Sequence, residues 1–329
     1  MKTLPADYEE GIVESLTENN RIMVWASRRR QEEDKQYIVH VQRVRGIGPP
    51  ASLIVKKFEN MNPALQLDDN VKNRCNSEMT LLATICHDNI IKVLGVIERD
   101  EALMLVYKFE VNGNLHYWLH QRKGGMQPLS WLERVSIATG VAKGLRHMHH
   151  GCNRPFVHHN INPKNILLDQ NFKAVIASFG AAQMNMAGLD QPLPIVDLPL
   201  GNFGYAAPEY GTGATTEKAD IYSYGVLLLE LVTGRMANEA GADGHLATWA
   251  WNNFTKLMAN QQEMFQSAVD RDIPDRARYM KEMATVFMLG VDCTAVDPQK
   301  RPSMRMALKR LRRGYRRGPF HGLLTCYVL

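Results

Sequence analysis

The sequence predicts an α+β protein of two lobes: a small β-rich lobe with one long helix, then a larger, mainly helical lobe. Two patterns carry the prediction. Between residues 21 and 109, short runs rich in β-branched and aromatic residues recur, separated by charged or Gly-Pro segments. Beyond residue 130 the apolar residues fall instead at helical spacing over long segments. The size agrees, because 329 residues with 45% hydrophobic and 22% charged content are enough for one large two-lobed unit of ordinary globular composition.

The elements follow in order. Arg21 to Ser27 (RIMVWAS) and Tyr37 to Val44 (YIVHVQRV) read as strands on either side of the charged segment RRRQEEDK. After the turn GIGPP, Ala51 to Phe58 (ASLIVKKF) reads as a third strand. Residues 68–84 are helical, with Met79, Leu82 and Ala83 at helical spacing. Ile90 to Ile97 and Ala102 to Phe109 complete the strands. Trp131 to His149, Lys218 to Thr233, 246–259, 278–293 and Ser303 to Arg313 then read as helices. The expected organisation is an N-terminal extension at 1–11, a small lobe at 12–108, a large lobe at 109–313 and a basic tail at 314–329.

Composition excludes several classes. No run of 18 or more apolar residues exists, so a transmembrane helix is not expected. The N-terminus lacks the apolar core of a signal peptide, which makes the cytosol the expected compartment. Cys75, Cys86, Cys152, Cys293 and Cys326 lie far apart and form no C-x-x-C pair, against both a disulfide framework and a structural zinc site. The net charge of +5 is concentrated: nine Lys or Arg and no acid follow from residue 300, which leaves −4 for the rest. A basic segment of this kind can hold nucleic acid, an acidic lipid surface or an acidic partner, or be simply a solvated last helix; no nucleic-acid motif accompanies it.

A series of motifs lies on this layout: ICHDNIIKVLG (85–95), LVYKFEVNGNLHYWLH (105–120), GLRHMHHGC (144–152), NPKNILLD (162–169), GNFGYAAPEY (201–210), ADIYSYGVLLLELVTGR (219–235) and DPQKRPSM (297–304). In order and spacing they resemble the protein kinase family, most closely the kinase domains of plant leucine-rich-repeat receptor-like kinases, over roughly residues 12 to 313. The resemblance implies a bilobal kinase-like fold. Activity is a separate question, answered position by position.

Phosphoryl transfer requires the phosphates to be held, Mg²⁺ to be placed and the attacking hydroxyl to be oriented. The glycine-rich loop is absent, because no glycine lies between Gly11 and Gly46 and RRRQEEDK occupies its place. By the resemblance, Lys56 of LIVKK is the lysine for the α- and β-phosphates and Glu78 is its helix partner. The catalytic loop H-R-D-x-K-P-x-N reads His158-His159-Asn160-Ile161-Asn162-Pro163-Lys164-Asn165. Asn160 replaces the aspartate that orients the substrate hydroxyl, and an amide is no base near neutral pH. His159 replaces the arginine that meets an activation-loop phosphate, and Asn162 replaces the lysine beside the transferred phosphate. Asn165, a metal ligand in the family, is kept. Ser178 of Ala-Ser-Phe-Gly replaces the metal aspartate, and a neutral hydroxyl is a poor Mg²⁺ ligand. From Gly180 to Asn202 there is no Ser, Thr or Tyr to be phosphorylated.

The framework positions are present. His158, Phe179, Leu82 and a strand residue near Val93 match the family's stacked hydrophobic spine, and Asp220 matches the aspartate that anchors it. Glu209 and Arg301 match the buried ion pair of the large lobe. The resemblance thus implies a pseudokinase of the Ser/Thr class, a binding or regulatory module whose partner is another protein such as an active receptor-like kinase. It implies no Mg²⁺ and at most weak ATP binding through Lys56, Glu78 and Asn165. Two alternatives stand beside it: a working kinase that uses Asp169, Asp190 or Asp197 as a displaced acid, and a metal-independent nucleotide switch. In the tail, Cys326-Tyr327-Val328-Leu329 fits a prenylation box with a departure at Tyr327, downstream of a polybasic run, which would place the chain at the inner face of the plasma membrane.

Overall fold

The computed structural model describes residues 6–16, 21–29, 32–41, 51–60, 68–99, 102–122, 124–195, 203–239, 244–259 and 263–316. The chain divides between Val111 and Asn112 into two compact units.

The first unit opens with a helix, α1 (Ala6–Ser15), and holds five antiparallel strands: β1 (Arg21–Arg29), β2 (Glu32–Val41), β3 (Ala51–Asn60), β4 (Val93–Arg99) and β5 (Ala102–Lys108). Their order across the sheet is β1-β2-β3-β5-β4. Helix α2 (Asp69–Thr84) follows β3, and its N-cap Asp68 accepts the Asn70 N–H. Alternation along β3 divides the work of its side chains. Leu53 and Val55 join Ile12, Ile97, Met104 and Val106 in one apolar cluster. Lys56 and Phe58, buried in the other parity, belong to the face that meets α2. Strand β5 is buried at six successive positions, as a strand covered on both faces must be, and this explains its unbroken apolar run ALMLVY.

The second unit is built around α3 (Trp131–His150) and α4 (Lys218–Thr233). Helix α3 begins in a capping box: the Ser130 side chain accepts the Glu133 N–H, and Glu133 returns to the Ser130 N–H. Between these helices lie three two-stranded ladders: β6 (Phe156–Val157) with β9 (Gln183–Met184), β7 (Ile166–Leu168) with β8 (Ala174–Ile176), and β10 (Leu193–Pro194) with β11 (Ala214–Thr215). Helices α5 (Leu246–Ala259), α6 (Glu263–Ala268), α7 (Arg276–Cys293) and α8 (Met304–Arg316) complete it. All but one of the α4 residues are buried, so this helix is surrounded on every side. Near its middle it approaches α7 closely, where a Cβ on Gly225 would lie 2.6 Å from Cys293 Cβ and 2.9 Å from the Gly290 carbonyl.

An ion pair braces this unit. Arg301 donates from Nη1 to Glu209 Oε1 at 2.6 Å and from Nη2 to Oε2 at 2.8 Å. Its remaining donors reach the carbonyls of Ala295, Lys218 and Val296, so every side of the guanidinium is occupied.

The structure differs from the sequence expectations at several points. Helix α1 was not anticipated, and the division expected between residues 11 and 12 falls inside it; buried Ile12 anchors it. The segment RRRQEEDK is not a wide loop. The two strands continue through it, and the register sets Arg28 opposite Glu33 and Arg29 opposite Glu32. Cross-strand opposite charges stabilise such a ladder, which explains its composition. Arg30 and Gln31 lie outside the described residues, as do 42–50 with the expected GIGPP turn, and 196–202 with Asp197 and Asn202. Strand β4 starts at Val93 rather than Ile90, and its register shifts between Val93 and Gly95. Helix α8 runs past the expected limit at Arg313 to Arg316, while 317–329 with Cys326 is outside the described residues.

Gly225→Ala should destabilise the protein by about 1–3 kcal/mol despite alanine's better helix propensity, because the added methyl has no room against α7. A urea midpoint equal to that of the wild type would contradict the close α4–α7 approach.

Candidate functional site

In the first unit, β3 presents Lys56 and α2 presents Glu78. Lys56 Nζ lies 2.6 Å from Glu78 Oε2, with both side chains 3% exposed. The Tyr107 hydroxyl, from β5, donates to the other oxygen, Oε1, at 2.7 Å. Register explains the meeting: Lys56 pairs with Leu105 and Ile54 with Tyr107, so Lys56 and Tyr107 lie at neighbouring positions of adjacent strands. The Lys56 ammonium also sits 4.5 Å from the Phe58 ring centroid. Sequence reasoning found Lys56 and Glu78 but missed Tyr107, which sits in a run read as plain strand.

In the second unit, the loop of residues 158–165 rests on Asp220, a fully buried carboxylate in the first turn of α4. Asp220 Oδ2 accepts the His158 backbone N–H at 2.8 Å and lies 3.0 Å from His149 Nε2. Oδ1 accepts the His159 backbone N–H at 2.9 Å. Burial alone would raise the Asp220 pKa; the hydrogen bond and charge of His149, with His158 and His159 nearby, reverse this and hold it below the usual carboxylate value. His158 is in turn fixed as a neutral tautomer. Its Nδ1 accepts the Asn160 N–H at 3.2 Å, so Nε2 carries the proton and donates to the Ala177 carbonyl at 3.1 Å. Its ring meets Phe179 edge-on, 4.7 Å between centroids. The structure therefore brings His158, Phe179 and Asp220 together within this unit.

The three asparagines of the loop are tied to one another. Asn162 Nδ2 donates to Asn160 Oδ1 at 2.9 Å, and Asn165 Nδ2 donates to the Asn160 carbonyl at 2.8 Å. Asn162 Oδ1 accepts the Lys164 N–H, capping the 3₁₀ turn 163–165. Residues 158–165 contain no acidic side chain. Ser178 adopts a left-handed backbone, φ 69° and ψ 64°, a conformation that favours Asp or Asn over Ser.

His159 takes a different partner from the one the family's arginine serves. It is 3% exposed, its φ is 64°, and its Nδ1 lies 2.9 Å from the Tyr210 hydroxyl. Burial holds its pKa below the ordinary histidine value, with Asp220 opposing. A neutral, buried imidazole is no receptor for a phosphate. Of the three proposed substitute acids, Asp169 is used locally: its Oδ1 accepts the N–H groups of Asn171 and Lys173. Asp190, also left-handed, donates its N–H to Glu217 Oε2 at the start of α4.

A second buried polar cluster was missed. Glu230 of α4 accepts the Tyr205 hydroxyl at 2.6 Å and lies 3.1 Å from His120 Nε2. Burial raises its pKa, while both partners pull it down. An acid interrupting the apolar run YGVLLLELV was the available signal. Among the described residues, no group of three or more His, Cys, Asp or Glu side chains is arranged to hold a metal ion, and no helix is long and apolar enough to cross a membrane.

These features define a protein kinase domain, and the chain belongs to the protein kinase domain family, whose profile matches residues 52–311. Its relatives are plant receptor-like kinases. It is 36% identical over 263 residues to MDIS1-interacting receptor like kinase 1 of Arabidopsis thaliana, covering 79% of this chain and 25% of that protein. It is 35% identical over 247 residues to the receptor-like protein kinase HAIKU2 of the same plant, 73% of this chain and 24% of that one. To the leucine-rich repeat receptor protein kinase MSP1 of Oryza sativa subsp. japonica it is 35% identical over 240 residues, 72% and 18%. The chain thus spans a quarter or less of the length of these relatives.

Lys56→Met should cost about 3–5 kcal/mol of stability, since it leaves the buried Glu78 carboxylate without its cation, and Lys56→Met combined with Glu78→Leu should recover most of that loss. Additive losses in urea unfolding would refute the coupling. For His159, the depressed pKa means that the unfolded chain binds the proton more readily. Stability should fall as pH drops below about 6.5, and His159→Gln should flatten that slope. Parallel slopes for the two proteins would exclude His159 as a contributor.

Proposed function

We propose that this kinase domain is a non-catalytic binding and regulatory module in receptor-kinase signalling. The observation that carries the reading is the catalytic loop, in which Asn160, Asn162 and Asn165 hydrogen-bond one another and no carboxylate is present to orient a substrate hydroxyl. Ser178 supports it, because neither it nor Asn165 brings a negative charge to Mg²⁺. The missing glycine loop and the neutral His159 point the same way. On this reading the partner is another protein, an active receptor-like kinase, engaged in the cytoplasm. The names of the relatives support that class of partner.

The Lys56–Glu78 pair favours a second reading, a nucleotide-responsive switch without catalysis. Tyr107 and the burial of both side chains give the pair a structural role that needs no nucleotide. We therefore rank the switch second.

Purified protein incubated with radiolabelled ATP and Mg²⁺ should transfer no more phosphate to itself or to a generic substrate than a Lys56→Ala, Asn165→Ala control does. Mg²⁺-dependent transfer, abolished by replacing Asp169, Asp190 or Asp197, would overturn the proposal. Thermal melting divides the two readings: ATP at about 100 times its dissociation constant stabilises by about 2.7 kcal/mol. The scaffold predicts no shift, whereas a metal-independent shift lost in Lys56→Ala would establish the switch.

A further inference from the structure

Helix α8 separates its residues by face. Met304, Ala307, Leu308 and Leu311 are buried, at the i, i+3, i+4, i+7 spacing of a helix lying on a core. Arg305, Met306, Lys309, Arg310 and Arg312 are exposed. Arg310 is paired with Asp292 of α7. Among the described residues, Arg305, Lys309 and Arg312 form no ion pair and no side-chain hydrogen bond, and their i, i+4, i+7 spacing sets them in one stripe. Met306, half exposed, sits next to that stripe. The basic face extends beyond α8 itself. Burial, then His149, Arg305 and Arg146 of α3 hold His150 down to about 4, with Asp190 the opposing charge. The sequence continues the charge through Arg313, Arg316 and Arg317, with no acid, and then supplies Phe320, Leu323 and Leu324.

We propose that the outer face of α8 is a docking surface for an anionic lipid bilayer. Three features choose a bilayer over other acidic partners. The cations form a stripe along one face of a helix, which matches a flat charged surface. The exposed side chains among those described, up to Arg312, are cations and one methionine, the pairing an interfacial helix uses. Among the described side chains, up to Arg312, none is an exposed aromatic, Asn or Gln with which to stack on or read a nucleic-acid base. The inference goes beyond the proposed function and is independent of phosphotransfer.

The full chain should co-sediment with vesicles of phosphatidylcholine containing about a third phosphatidylserine, and not with phosphatidylcholine alone. Binding should be lost near 0.5 M salt, where the Debye length falls to roughly 4 Å. Each Lys or Arg at such a surface is worth about a fivefold change in partitioning, so Arg305→Gln, Lys309→Gln and Arg312→Gln together should weaken binding about a hundredfold. Arg305→Lys with Arg312→Lys should leave it unchanged, since charge and not guanidinium shape is read. Equal binding by the Gln variant would assign the effect to the residues after Arg316 and overturn the proposal. So would binding to neutral vesicles, or tighter capture by single-stranded RNA or an acidic peptide than by the phosphatidylserine vesicles. Should the Gln variant fail to fold, the salt dependence and the lipid requirement of the wild type still decide.

Discussion

The second unit depends on the Asp220 carboxylate. Both of its oxygens are spent on holding the loop at 158–165 to the start of α4. One of the bonds fixes the N–H of His159, a residue with a left-handed backbone that costs on the order of 1–3 kcal/mol unless its surroundings impose it. Another sets His158, whose ring then holds the Ala177 carbonyl and packs on Phe179. Ser178, left-handed as well, lies between those two contacts. The local geometry of His158 and His159, and through His158 that of Ala177 and Phe179, therefore leans on one buried charge. That charge is tolerable in the interior because three donors and the amino end of a helix surround it.

This dependence explains which positions could change. Removing one member of a buried, charged arrangement leaves its partner desolvated and costs several kcal/mol. Asp220, Glu209, Arg301, Lys56 and Glu78 all stand in such arrangements. The family's loop aspartate, its neighbouring lysine and its metal aspartate serve ligands, and the fold gains little from their charge. Asn160 and Asn162 replace two of these ionic groups with amides that satisfy each other locally. The exchange of acid and base together matters: an amide beside a lone ammonium would have left a positive charge without a counterpart. The contact between Asn160 and Asn162 is instead neutral and hydrogen-bonded, and Lys164 of the same loop is exposed to solvent.

How much of this was legible in the sequence follows from the range of the interactions. Helix α4 and helix α5 have the expected limits because burial and period are local signals. The pairing of Lys56 with Glu78 was readable from motif spacing, and the structure places the two in contact. Tyr107, His149, Tyr210 and the Tyr205–Glu230–His120 cluster were not, because each partner is brought in by tertiary packing from a distant segment. The two-residue strands β6, β9, β10 and β11 were missed for a similar reason: two residues carry no period. The charged hairpin misled in the opposite direction. Composition suggested that the whole of RRRQEEDK was the turn of a charged hairpin, whereas the strands stay paired through most of it, with opposite charges across the register.

The same hairpin bears on nucleotide recognition. A glycine loop works because its backbone can approach phosphate without side chains in the way. Here the two strands are paired from Arg21 to Arg29 and from Glu32 to Val41, with a register shift between Met23 and Trp25. The strand ends also bring Glu32, Glu33 and Asp34 into the segment, and carboxylates repel a polyphosphate. In the register, Arg28 and Arg29 lie opposite Glu33 and Glu32. Lys56 is held in the first unit by its contact with Glu78, to which Tyr107 also donates. Within each unit the contacts that shape the kinase scaffold are largely buried: Lys56 with Glu78 in the first, Asp220 and the Glu209–Arg301 pair in the second.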